Sequence, residues 1–285
     1  MLGHVLFIEL SRQGYSVYAT TRLSSDLSSR FPSELRHRIL GGVEASSVDA
    51  LTRVLATVQP DLVINCIGII KQLPIAKDPL ISITINALLP HRLALLCKAT
   101  GARLLHISTD CVFNGQKGSY TEADASDADD LYGRSKFLGE VNDPHCITLR
   151  TSIIGHELNS CYGLIEWFLA QQHQVQGFTQ AIYSGFPTIE IARIIGQYVI
   201  PQPELSGIYQ VSSAPISKYD LLQLVAQRYG KAIIIEPATH IRLDRSLDSR
   251  RFQQDSGYCP PPWEELVDRL YQHFLTAPCY HHRHP

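Results

Sequence analysis

The run TyrGlyArgSerLys places Tyr132 and Lys136 four residues apart. On a helix that spacing puts both side chains on one face. An ammonium beside a phenol favours the phenolate and lowers a pKa that is ordinarily about 10. Such a tyrosine can give or take a proton near neutral pH. Tyr-x-x-x-Lys is a weak signal alone, because an exposed tyrosine and a solvated lysine are spelled the same way. Ser108 and Thr109 strengthen it. They lie 24 and 23 residues before Tyr132 and close an apolar run, Arg103 to Ile107. A hydroxyl at the carboxyl tip of a parallel strand stands where open α/β sheets bind their ligands. It can hold a carbonyl oxygen while Tyr132 protonates it.

The elements that must position these groups follow from periodicity. Helical spacing covers 5–13, 48–58, 86–98 and 132–141, and short apolar runs that fit buried strands cover 15–20, 62–66, 103–108 and 146–150. Strand and helix alternating at this rhythm make βαβ units and a parallel sheet. After Arg150 the rhythm loosens: helices are expected at 164–172, 189–199, 218–229 and 263–274, and a strand at 208–212. The expected fold is α/β, a Rossmann-type doubly wound sheet over 1–151. A smaller α+β substrate-binding region covers 152–285, with 185–212 returning to the first domain and a loose tail at 276–285.

Composition narrows the function. The chain has 285 residues, 45% hydrophobic and 18% charged, with Lys+Arg 25 against Asp+Glu 27 and a net charge of −2. There is no basic excess for nucleic acid. The longest apolar runs, such as 62–70, fall well short of the roughly 20 residues that span a bilayer, so no membrane span is expected. The opening MLGHVLFIEL lacks a basic start and is interrupted by Glu9, unlike a secretory signal. Seven cysteines without a CxxC pair fit reduced thiols in the cytoplasm, with no metal site.

Together the stretches SerThrAspCysValPheAsnGly (108–115), GlySerTyrThrGlu (118–122) and TyrGlyArgSerLys (132–136) resemble the extended short-chain dehydrogenase/reductases, most closely the dTDP-4-dehydrorhamnose reductase branch. ValIleAsnCysIleGlyIle (63–69), LeuArgThrSerIleIleGly (149–155), GlyPheProThr (185–188) and ArgSerLeuAspSerArg (245–250) are similar to that branch's other landmarks. The stretch 152–187 is similar to relatives that act on UDP-linked 6-deoxy amino sugars. The resemblance implies an NADP(H)-dependent reductase of the 4-keto group of a nucleotide-linked 4-keto-6-deoxyhexose, serving surface polysaccharide synthesis. Tyr132 would be its acid, Lys136 would tune that acid and hold the nicotinamide ribose, and Thr109 with Ser108 would place the keto oxygen. Asn65, Cys66 and Gly68 would line the cofactor. Asn86, Lys71, Arg245 and Arg250 are the candidates for the substrate. A homodimer stays open. So do an epimerase or dehydratase on the same scaffold and a non-catalytic NADP-binding regulatory subunit.

The N-terminus departs from this pattern. A Rossmann cofactor site needs a first strand, a glycine-rich turn and a helix N-terminus for the pyrophosphate. MetLeuGlyHis matches only the end of that turn, with Gly3. The expectation is a truncation, or a variant that binds cofactor poorly. The expected second strand ends AlaThrThrArg (19–22) with no acid, so Thr21 and Arg22 would favour a 2′-phosphate and hence NADPH.

Overall fold

The structure is a computed structural model that describes residues 1–22 and 30–283. Its first half runs α1 (Leu2–Arg12), β1 (Ala19–Thr20), β2 (Ile39–Leu40), α2 (Val48–Val58) and β3 (Leu62–Asn65). It continues through α3 (Pro79–Ser82), α4 (Leu89–Thr100), β4 (Arg103–Ile107), α5 (Leu131–Leu138) and β5 (Cys146–Arg150). The second half carries β6 (Ile153–Ile154), α6 (Leu164–Ala170), β7 (Gln174–Phe178), β8 (Ala181–Tyr183), β9 (Phe186–Pro187) and α7 (Thr188–Ile194). It ends with β10 (Gly207–Gln210), β11 (Ile216–Ser217), α8 (Lys218–Tyr229), β12 (Ile234–Ala238), β13 (Leu243–Asp244), α9 (Arg250–Ser256) and α10 (Trp263–Thr276).

The central sheet is parallel, in the order β10-β5-β4-β3, with Leu105 of β4 between Ile64 of β3 and Ile147 of β5. β10 reaches this sheet from the second half and pairs with β5 from Gly207↔Ile147 to Gln210↔Arg150. β1 and β2 form a separate parallel pair, and among the described residues no strand joins them to β3. The parallel sheet is therefore in two parts.

Local chemistry explains the elements. α2 starts where the Ser47 side chain accepts the Ala50 amide and stops at Gln59, whose φ of 47° is left-handed. α4 ends at Gly101 with φ 75°, the conformation that a side chain would resist. β4 reads Leu104, Leu105, His106 buried in succession, as a strand covered on both faces must. The main core joins Leu2, Val5, Leu6 and Leu10 of α1 to Leu105, Ile147 and Leu149 of the sheet, and to Phe252, Leu266 and Leu270 of α9 and α10. A second cluster lies on the other sheet face under α2 and α4, with Leu51, Leu93 and Cys97 against Leu104.

Three expectations change. Helix 86–98 is longer: α3, a π-helical turn at Ile83–Leu88 and α4 make one helical stretch, Pro79–Thr100, of 22 residues. It is long and apolar enough to cross a membrane by length and composition, which the run lengths in the sequence missed because polar residues interrupt them. One face of it packs into the core through Leu89, Leu93, Ala94 and Cys97, and 44% of its apolar window is buried. The tail is not loose. Ala277, Cys279 and Tyr280 are buried, and the Tyr280 hydroxyl lies 2.6 Å from Nε2 of His4 on α1. An aromatic ring given a buried hydrogen-bond partner anchors a segment that composition alone marks as frayed. Residues 284–285 lie outside the described residues. Finally, strands β7, β8, β12 and β13 and helix α9 have no clear period in the sequence. They are short and pair across long separations, as Ile234 does with Gln174.

Candidate active site

The reactive groups gather at the carboxyl tips of β3, β4 and β5. Backbone bonds extend the ladder beyond β4: the Ser108 amide donates to Leu149 O and the Asp110 amide to Thr151 O. Thr109 then caps a short helical turn, its Oγ1 accepting the Cys111 amide at 3.1 Å and donating to Asp110 Oδ1 at 3.1 Å. α5 is set by Asp130, whose Oδ1 accepts the Gly133 amide at 2.6 Å. Gly133 lets the helix lie on this turn, because a Cβ there would come within 2.2 Å of Cys111 O. Tyr132 consequently faces Thr109, whose side chain acts on its phenol.

The electrostatics differ from the sequence expectation. The Tyr132 phenol is raised above the ordinary tyrosine range, first by burial and then by Cys111 and Asp110, with the Thr109 bond pulling back. Lys136 is not among the leading influences on it. Its Nζ turns to the strand, donating to Ile107 O at 2.7 Å and lying 3.4 Å from His106 Nε2. Burial brings the Lys136 ammonium down to about 8, opposed by Glu140 and Cys66. The resting phenol is therefore firmly protonated.

Ser108 is also reassigned. Its Oγ donates to Glu140 Oε1 at 2.7 Å, so its proton is not free for a keto oxygen. Glu140 is gripped in turn by Arg150, Nε to Oε1 at 2.8 Å and Nη2 to Oε2 at 2.7 Å, both side chains under 5% exposed. This buried pair props the floor of the site. Asn86 is a clamp: Oδ1 accepts the Ile69 amide, and Nδ2 donates to Ile69 O and Ser135 Oγ. With those bonds made inside the protein it ties the Gly68 loop to α5, and it is not placed to read a substrate. Asn65, 2% exposed, likewise bonds inward, to the Ile67 amide and His106.

Three cations surround Asp110 and Cys111. Arg245 donates through Nε to Phe113 O at 2.7 Å and aims Nη1 at Cys111 Sγ, 3.6 Å away. Lys71 and Arg245 both act on the buried Asp110 carboxyl, whose pKa burial raises and these cations pull down. Lys218, the first residue of α8, completes the set. Its pKa is lowered by burial and then by Lys71, with Arg245 in the same direction and Asp110 and Cys111 opposing. Nothing in the sequence marks Lys218, because lysine at a helix start is spelled like any surface lysine. Arg250 is not in the set. It is exposed and paired with Asp248, Nη2 to Oδ2 at 2.5 Å.

The cofactor residues divide. Cys66 and Gly68 flank the tip of β3 beside Lys136, and burial keeps the Cys66 thiol protonated, pushed up to about 12. Lys136, the Gly68 loop and the buried strand tips fit the nicotinamide and ribose end of a dinucleotide. At the α1 end, Gly3 lies in the first helical turn, and a Cβ on it would meet Cys66 Cβ at an ordinary 3.9 Å. Nothing around Gly3 there demands a glycine. The buried carboxylate of Glu157, which accepts the Gly163 amide at 2.8 Å, acts on the Met1 ammonium at the same helix end. Thr21 is held by backbone bonds to Leu40 and Val43, and Arg22 is exposed. The seven residues following Arg22 lie outside the described residues.

A Rossmann-type parallel sheet with a threonine at a strand tip, and a tyrosine and a lysine on the helix beside it, defines the dehydrogenase/reductase class of α/β proteins. The chain belongs to the RmlD substrate binding domain family, which matches residues 1–276. It is 26% identical over 291 residues to the spore coat polysaccharide biosynthesis protein SpsK of Bacillus subtilis, covering 97% of this chain and 95% of that one. It is 23% identical over 256 residues to dTDP-4-dehydrorhamnose reductase of Salmonella typhimurium, covering 81% and 86%. The fold is similar to the crystal structure of dTDP-4-dehydrorhamnose reductase from Bacillus anthracis in complex with NADP, with a TM-score of 0.76, 20% identity and 95% of each chain covered.

Proposed function

We propose that this chain is an NADPH-dependent oxidoreductase that reduces the 4-keto group of a nucleotide-linked 4-keto-6-deoxyhexose for polysaccharide synthesis. The observation that carries the reading is the half-buried Tyr132 beside Thr109 at the tip of β4, with Lys136 one helical turn further along. A phenol that burial keeps protonated suits a proton donor to a ketone oxygen. The Thr109 hydroxyl, which donates to Asp110 Oδ1 at 3.1 Å, turns its proton to that oxygen when substrate binds, and Lys136 holds the ribose side of the site. NADPH, when bound, supplies the hydride. Lys71, Lys218 and Arg245 offer three positive groups beside the same turn, the charge that a sugar diphosphate requires. The relatives in polysaccharide and rhamnose synthesis support the substrate class.

The test is to offer purified protein dTDP-4-dehydrorhamnose, or a UDP-linked 4-keto-6-deoxy amino sugar, with NADPH. The reading expects loss of the keto group with one NADPH oxidised per sugar. Sugar isomerised or dehydrated with no net NADPH oxidation would establish the epimerase or dehydratase alternative instead.

A further inference from the structure

His106 has no part in the reaction as described, yet it is fully buried on β4 and lies against Lys136. Its hydrogen bonds can be assigned by elimination. The Ile67 amide donates to Asn65 Oδ1 at 3.1 Å, which fixes that amide and leaves Nδ2 as the atom facing His106 Nδ1, also at 3.1 Å. An amide NH2 only donates, so His106 Nδ1 must accept and carries no proton. The neutral ring then has its proton on Nε2, the atom 3.4 Å from Lys136 Nζ. An N–H pointed at Nζ suits a neutral amine, which can accept, and opposes an ammonium, which cannot.

We infer that Asn65 and His106 form a positioning pair that sets the orientation and charge state of Lys136: Asn65 selects the Nε2–H tautomer of His106, and that N–H supports the amine form of Lys136. In the proposed reduction, Tyr132 gives its phenolic proton to the substrate oxygen as hydride reaches the carbon. Solvent then restores the phenol, since Lys136 Nζ is turned to Ile107 O and His106, and while Lys136 is in its amine form it accepts the His106 N–H. The other groups facing Lys136 are Cys66 beyond β3 and Glu140 beyond α5, with Ile107 O accepting its remaining bond. Glu140 and Cys66 favour the ammonium and burial opposes it; the direction of the His106 N–H adds to that opposition. Burial and the Lys136 charge hold His106 well below its usual range, so it stays neutral; His91 adds to the same effect.

The catalytic meaning rests on the reductase reading, but the tautomer and the titration of Lys136 do not, so the two can fail separately. Long-range 15N–1H NMR of the wild-type chain should show His106 protonated on Nε2 alone. A proton on Nδ1 would overturn the inference. Competitive acetylation of Lys136 with trace acetic anhydride across pH, read by peptide mass spectrometry, should give a midpoint near 8. In His106→Phe that midpoint should rise by about one unit, which cuts the acetylation rate about tenfold below the midpoint. An unchanged midpoint in a variant that still melts cooperatively, or an ordinary lysine midpoint in the wild type, would also overturn it. The NMR result stands alone if His106→Phe fails to fold.

Discussion

Around Lys136 the described polar neighbours are buried and hydrogen-bonded. Asn65 meets His106, His106 meets Lys136, Ser108 meets Glu140, and Glu140 meets Arg150 in a two-pronged pair. Around Arg22, in the same α/β half, the side chain is exposed, and its strand is two residues long and paired with β2 alone among the described residues. The first region lies where three parallel strands end side by side under α5, so its groups are fixed from several directions. The second hangs on a two-residue ladder. The α1 end, which lies between them in function, is held from the far side, by Tyr280 against His4 and His273 near Glu9. The site is thus tied by side-chain hydrogen bonds, while the outer strand pair is held by a short ladder and by Ala19 and Ile39 packed against Phe7 and Tyr280.

Substitutions should divide along this line. The largest effect is expected for Tyr132→Phe, which keeps the thermal melt but lowers turnover of a 4-keto sugar nucleotide by about two to four orders of magnitude. A melt equal to wild type with activity also retained would remove Tyr132 from the chemistry. Next, Glu140→Ala strands a buried guanidinium and should cost about 3–5 kcal/mol of stability in denaturant unfolding. Arg22→Ala, in the loose region, should change the same curve by less than about 0.5 kcal/mol. Comparable losses at the two positions would erase the contrast.

The α1 end should respond to acid. Burial, then Arg12 and His156, lower His273 to about 4, against 6.5 in the unfolded chain. Between those values the unfolded chain binds a proton that the folded chain refuses. The stability from neutral His273 is therefore full above pH 6.5 and falls as pH drops toward 4, at about 1.4 kcal/mol per unit. His273→Phe should flatten that part of the pH–stability curve, and two curves with the same slope would rule out His273 as its source. A modest effect is expected at the cofactor end: Arg22→Asp should shrink a preference for NADPH over NADH by about tenfold, the value of one charge-assisted contact. No change in the ratio of kcat/KM for the two cofactors would show that Arg22 stays in solvent.

The sequence by itself determined the elements that carry their own period and the groups that carry their own chemistry. α2, β5 and α8 begin and end where the pattern of apolar residues places them. Tyr132, Lys136 and Thr109 could be singled out because a four-residue helical spacing and a strand tip are local facts. What only the tertiary structure decided is how those groups are partnered. Ser108 reads as a substrate ligand until Glu140, 32 residues away, takes its proton, and Asn86 reads the same way until Ile69 and Ser135 use its amide. Lys218 joins Lys71 and Arg245 across more than 140 residues of sequence, and Tyr280 turns a ragged tail into an anchor for α1. The physical reason is common to all four. Period and type are written along the chain, but a buried polar group must find its partner in space, and the sheet decides which one is within reach.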